Sequence, residues 1–204
     1  MATNQQVPAN KGKRYPIEPL TTEEVSALLA ACSERAPTGI RNRALITVLY
    51  RAGLRISEAL ALEPKDLDRK AGSIRVLHGK GDRPRTIGMD PEAFAVVELW
   101  LNCRRDLGIN GRKRVFCTLA GTPLSTAYVR TLLPRLARKA GIEKRVHAHG
   151  LRHSHAAKLA RGHLPMNVIQ AQLGHSSLAT TDRYLRHIEP QEVIEAISGL
   201  EWNS

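Results

Sequence analysis

Aromatic residues are scarce: two Phe, two Trp and four Tyr make up 4% of the 204 residues, too few for a platform that stacks single-stranded bases. Cysteine is scarcer. Cys32, Cys103 and Cys117 are odd in number and form no Cys-x-x-Cys pair, which argues against a disulfide framework or a zinc ribbon. They fit a reducing, cytosolic compartment. No apolar run approaches membrane-spanning length, and the opening MATNQQVPANKGKRYP lacks the apolar core of a signal peptide. Acidic residues are also short, 19 against 31 Lys plus Arg, for a formal net charge of +12. That excess makes a positive field whose simplest partner is a polyanion. Charge alone equally fits a ribosomal protein, a nonspecific nucleic-acid binder or a merely basic surface.

The length suits one good-sized domain, or a domain with an arm. Residues 1–18 read as a flexible basic arm ending in Lys11, Lys13 and Arg14, with order from about Pro19. Thr21 and Glu24 have capping-box spacing, and Val25, Leu28, Leu29 and Cys32 share one helical face. Pro37, Thr38 and Gly39 read as a break. A second helix follows on Ile40, Ala44, Leu45, Val48, Leu49 and Ala52, closed by Gly53. Arg55 then starts a short helix that stops before Pro64.

In SIRVLHGKGDRPRTIG the period changes to two: Ile74 and Val76 alternate, GKGD supplies a turn, and Arg85 to Ile87 return. Asp90-Pro91-Glu92 opens a long helix to about Leu107, and Val115 to Leu119 reads as one more short strand. From Ser125 the pattern is helical, with a kink expected at Pro134. Further helices are expected over about His149 to Arg161, from Pro165 to Gly174, around Tyr184, and from Pro190 with Val193, Ile194 and Ile197 buried. The expected fold is mainly α with a small antiparallel β-sheet, as one domain over 19–204.

Chemistry concentrates in three segments: AGLRISEAL, HAHGLRHSHA and LGHSSLATTDRYL. Arg55 and Arg152 can each offer a planar fork to phosphate oxygens. His149 and His175 can donate hydrogen bonds or move protons near neutral pH. The Tyr184 hydroxyl can attack phosphorus and hold the cut end as an ester. Blander readings stand beside each. His153 or His155 packs inside the domain; alternatively His149 and His153, four apart, grip zinc with His175, although no Glu follows His149 as in zinc proteases. QAQLGHSSLATTDRY also fits a helix-turn-helix. Lys80, between Gly79 and Gly81, is either a solvated turn lysine or an ammonium that a loop delivers to a leaving oxygen; it is not in a P-loop.

Taken together and in order, these segments resemble the tyrosine recombinases, also called the lambda-integrase or phage-integrase family. AGLRISEALAL is similar to the first arginine box, HGKGDRPRTIGM to the β-hairpin lysine segment, and HAHGLRHSHAAKLA with LGHSSLATTDRYLRH to the second box. The resemblance runs from about Thr21 to Ile197. It implies a site-specific recombinase that cleaves and rejoins double-stranded DNA, with Tyr184 as nucleophile forming a 3′-phosphotyrosyl bond. Arg55 and Arg152 would clamp the phosphate, Lys80 would be the general acid, His149 would assist proton transfer, and His175 would hydrogen-bond the phosphate. Glu58 would support Arg55 from behind. No metal or cofactor is called for. A type IB topoisomerase shares this chemistry and a non-catalytic DNA binder shares the charge, so both remain alternatives.

The resemblance further implies a homo-tetramer on DNA at sites with inverted repeats, accessory proteins that bend the DNA, and no membrane association. Residues 189–204 would form a terminal helix that docks on a neighbouring protomer or packs on its own domain. Most members carry an additional N-terminal helical domain. The expectation here is a catalytic-domain-only member, similar to the invertases of fimbrial switches, or a truncated copy.

Overall fold

The computed structural model describes residues 18–77, 84–111 and 113–174. Helix α1 (Thr22–Ala30) starts with the reciprocal box its spacing predicts: Glu24 N donates to Thr21 Oγ1, and Thr21 N donates to Glu24 Oε2. The next segment corrects the sequence reading. Pro37, Thr38 and Gly39 do not break the chain but begin α2 (Pro37–Arg51). Proline suits that first position, since its φ is preset and its missing N–H would have had no helical partner. Gly39 is there for space, because a Cβ would lie 2.2 Å from Ser33 O.

Helix α2 is the centre of the molecule. Ala44, Leu45, Val48 and Leu49 are buried as the period predicts, but Ile46, Thr47 and Tyr50 are buried as well. The reason is that α4 (Pro91–Asp106) and α6 (Ala148–Arg161) both pack on it, so no broad face is left to solvent. Asp90 caps α4 by accepting from Ala93 N and also takes Arg51 Nε at 2.7 Å, which ties the start of α4 to the end of α2. Helix α5 (Thr126–Lys139), capped by Ser125, runs through Pro134 and buries Val129, Leu132, Leu133 and Leu136. The missing proline N–H leaves the Arg130 carbonyl without its helical donor.

Between α3 (Ile56–Ala61) and α4 lies a three-stranded antiparallel sheet in the order β1 (Leu67–Asp68), β2 (Ser73–Val76), β3 (Arg85–Gly88). The hairpin of β2 and β3 was expected, with Ile74 opposite Ile87 and both buried. The two-residue β1 was not, being too short to carry a period of its own. Residues 78–83, the expected turn with Lys80, lie outside the described residues. Val115 to Leu119 is not a strand: it makes one isolated bridge, Cys117 to Pro123, and turns back through Thr118 N to Thr122 O at 2.7 Å.

Helix α7 (Met166–Leu173) ends at Gly174, whose φ of 61° is left-handed, as the glycine predicts. The fold class is the expected one, mainly helical with a small antiparallel sheet. The helices expected around Tyr184 and over 189–204 lie outside the described residues, as does the basic arm except its last residue. No helix among the described residues is long and apolar enough to cross a membrane.

Candidate active site

The site is built around the connection from α2 to α3. Gly53 there has φ 64°, and a Cβ would lie 2.3 Å from His155 Cδ2 on α6, so both backbone and space require glycine. The turn delivers Arg55 to the N-cap of α3. Glu58, one turn on, reaches back: its Oε2 accepts from Arg55 N at 2.9 Å, and its Oε1 accepts from Arg55 Nη1 at 2.7 Å.

Glu58 is the hub. Its side chain is 1% exposed, and a carboxylate so buried is costly unless cations and donors surround it. Arg85 on β3 supplies a fork, with Nη1 to Oε1 and Nη2 to Oε2 both 2.9 Å. Arg152 on α6 completes the set, its Nη1 4.0 Å from Oε2. Burial pushes the Glu58 carboxyl up, but the hydrogen bonds from Arg85 and from the Arg55 backbone and side chain outweigh it. The net shift is below the ordinary glutamate value.

Both predicted arginines also grip the end of α7. Arg152 Nη2 donates to Leu173 O and its Nη1 to Gly53 O, while Arg55 Nη2 donates to Gly174 O at 3.4 Å. Cations belong at this end, where the last carbonyls lack helical donors and the dipole is negative. Their exposure differs. Arg55 keeps 27% of its side chain open and Arg152 only 1%, so Arg55 presents the accessible guanidinium.

His149 lies in the first turn of α6, its ring edge-to-face with His153 at 4.2 Å. Partial enclosure of the ring pushes its pKa below the ordinary histidine value, and Arg152, His147 and Arg55 add in the same direction. A neutral His149 at pH 7 can therefore accept a proton. Among the described residues no three His, Cys, Asp or Glu are arranged to hold a metal ion.

Of the sequence-predicted residues, Arg55, Glu58, His149 and Arg152 converge, from α3 and from the first turns of α6. Lys80, His175 and Tyr184 lie outside the described residues. Three participants went unread in the sequence. Arg85 looked like an ordinary strand residue, and its pairing with Glu58 spans a tertiary contact. Gln172 is a clasp: its Nε2 donates to Ala52 O and Gly88 O, and its Oε1 accepts from Gly88 N, joining α2, β3 and α7. His147 caps α6 by accepting from Gly150 N at 3.1 Å, a role histidine seldom fills.

Comparison with known proteins finds relatives of the whole fold. The chain is similar to the tyrosine recombinase XerC of Xanthomonas axonopodis pv. citri (strain 306), 37% identical over 91% of this chain and 59% of that protein. It thus spans about three-fifths of the length of that relative. A crystal structure of XerA recombinase superposes with a TM-score of 0.77 at 29% identity, covering 96% of this chain and 69% of that one. XerH site-specific recombinase, in a pre-cleavage complex with its difH substrate, gives 0.74 at 31%, covering 93% and 56%. The model of the phage integrase family matches residues 18–190, a span that takes in every side chain of the Glu58 cluster, and the chain belongs to that family.

Proposed function

We propose that this chain is the strand-transfer core of a site-specific DNA recombinase that cuts and rejoins DNA through a 3′-phosphotyrosyl intermediate. The observation that carries the reading is the meeting of Arg55 and Arg152, 97 residues apart in sequence, on the single buried carboxylate of Glu58. Such a cluster, three guanidiniums on one carboxylate, retains net positive charge that complements a phosphodiester. The XerC and XerH likenesses point the same way.

In the reaction, the Tyr184 oxygen attacks phosphorus, its proton passes toward neutral His149, and the bond from phosphorus to the 5′-oxygen breaks. Lys80 protonates that leaving oxygen. Arg55 and His175 hydrogen-bond the non-bridging oxygens, whose charge grows in the pentacovalent transition state, and buried Arg152 joins them when bound DNA draws its guanidinium from the Gly53 and Leu173 carbonyls. A 5′-hydroxyl from another strand reverses the steps and releases the tyrosine. No metal or cofactor enters this scheme, because side chains supply every cation and proton. Exchange between two duplexes, each cut by two protomers, calls for a homo-tetramer on sites with inverted repeats, with DNA-bending accessory proteins assisting. The work takes place on cytoplasmic, nucleoid DNA.

Trapping tests this directly. A pool of nicked duplexes of randomised sequence, in which cleavage frees a short strand that diffuses away, should leave wild-type protein joined to DNA through SDS. Tyr184→Phe should yield no adduct while still retarding the pool in a gel. An adduct that persists in Tyr184→Phe would move the nucleophile elsewhere, and retention without any wild-type adduct would favour a non-catalytic binder.

A further inference from the structure

Arg85 stands at the base of the hairpin, at the first position of β3 and opposite Val76. A basic residue there would ordinarily be solvated. Instead its side chain is only 15% exposed, and its planar fork closes on Glu58 with two bonds of 2.9 Å. Both Glu58 oxygens are thereby shared. Oε1 takes Arg55 Nη1 and Arg85 Nη1, and Oε2 takes Arg55 N and Arg85 Nη2. A carboxylate gripped along one edge can swing; one held by a bidentate fork has its plane fixed.

The second contact is with the end of α7. A Cβ on Gly174 would lie 2.5 Å from Arg85 Nε, so the Arg85 side chain runs flush against that backbone. Gly174 O is in turn the other acceptor of Arg55, through Nη2. Arg85 thus touches both anchors of the Arg55 guanidinium without touching a hydrogen-bonding partner on Arg55 itself, since both side chains only donate.

We propose that Arg85 is a positioning residue for Arg55: by fixing the Glu58 carboxylate and bearing on Gly174, it aims the guanidinium that meets the scissile phosphate. The inference rests on the reading of Arg55 as a phosphate ligand given above. Arg85 acts through geometry, so its charge alone does not replace it. A lysine at this position keeps the charge, loses the fork and lets Glu58 turn.

Two measurements on the full chain test it, with Arg85→Lys, Glu58→Gln and the double variant. In side-chain nitrogen NMR without DNA, the Arg55 guanidinium of wild type should show slowed rotation, and Arg85→Lys should restore fast averaging. In single-turnover trapping of the nicked duplex pool, Arg85→Lys should slow adduct formation by about 10–100-fold, the scale of a misplaced group, with duplex binding within about 2-fold. The double variant should be no slower than the slower single variant within about 3-fold, because both changes break one linkage. Losses that multiply, or unchanged Arg55 resonances in a folded Arg85→Lys, overturn the proposal. If Arg85→Lys does not fold, Arg85→Gln takes its place with the same criteria. Should wild type trap no DNA at all, the recombinase reading fails, while the NMR result still decides whether Arg85 holds Arg55.

Discussion

His155 shows how one side chain beside the Glu58 cluster can set the fold's response to acid. Its ring is buried beneath Gly53, and its pKa is pushed down to about 4, by burial first and then by the cations Arg152 and Arg51. A histidine whose folded value lies below its unfolded one stabilises the fold above the unfolded value, and loses that contribution as pH falls. The window here runs from about 6.5 down to about 4. The loss across it is of order 3 kcal/mol. Glu58 and Asp90, both below the ordinary carboxylate range, lose their contributions at lower pH still. We therefore expect thermal midpoints to fall between pH 6.5 and 4 in wild type and to fall less steeply in His155→Phe, which keeps an aromatic ring that cannot titrate. Parallel curves for the two proteins would assign the acid sensitivity to other groups.

At the scale of elements, the turn from α2 to α3 is the narrowest tolerance in the site. Gly53 combines a left-handed φ with a neighbour at 2.3 Å, so Gly53→Ala meets strain and a clash together. It should lower the free energy of unfolding by roughly 2–4 kcal/mol, read from urea midpoints, and slow adduct trapping beyond what the stability loss explains. A variant as stable as wild type would mean that the His155 ring yields easily. This turn was legible from the sequence because its signals are local: an apolar period, then glycine, then Arg55. Likewise legible were the box at Thr21 and the Asp90-Pro91 start. Pro37 was misread because one residue type serves both as breaker and as first helical residue, and only the chain's path decides. Arg85 and Gln172 escaped for a deeper reason. Their partners, Glu58 and Gly88, lie on other elements, and no period within β3 or α7 encodes which elements will meet.

Across the whole molecule, α7 is attached by a small apolar cluster, Ala156, Ile169 and Leu173, supplemented by the Gln172 clasp and the two arginines. For the proposed tetramer, deleting residues 189–204 should abolish cooperative binding to DNA carrying two sites while single-site binding survives in a gel shift. Loss of both, with a lower melting temperature, would assign that segment to its own domain's core. The Glu58 hub carries a consequence for how the chain is made. On a ribosome, Glu58 emerges 94 residues before Arg152 (152 minus 58) and 115 before the Leu173 carbonyl that steadies that arginine (173 minus 58). Until then the carboxylate has Arg55 and Arg85 for company but no α6 to cover it, so water must remain around it. Helix α2 can form early, yet the surroundings of Glu58 can dry only after Arg152 arrives. The nascent protein is thus unable to complete the Glu58 cluster until the segment that leads toward Tyr184 is itself about to be synthesised.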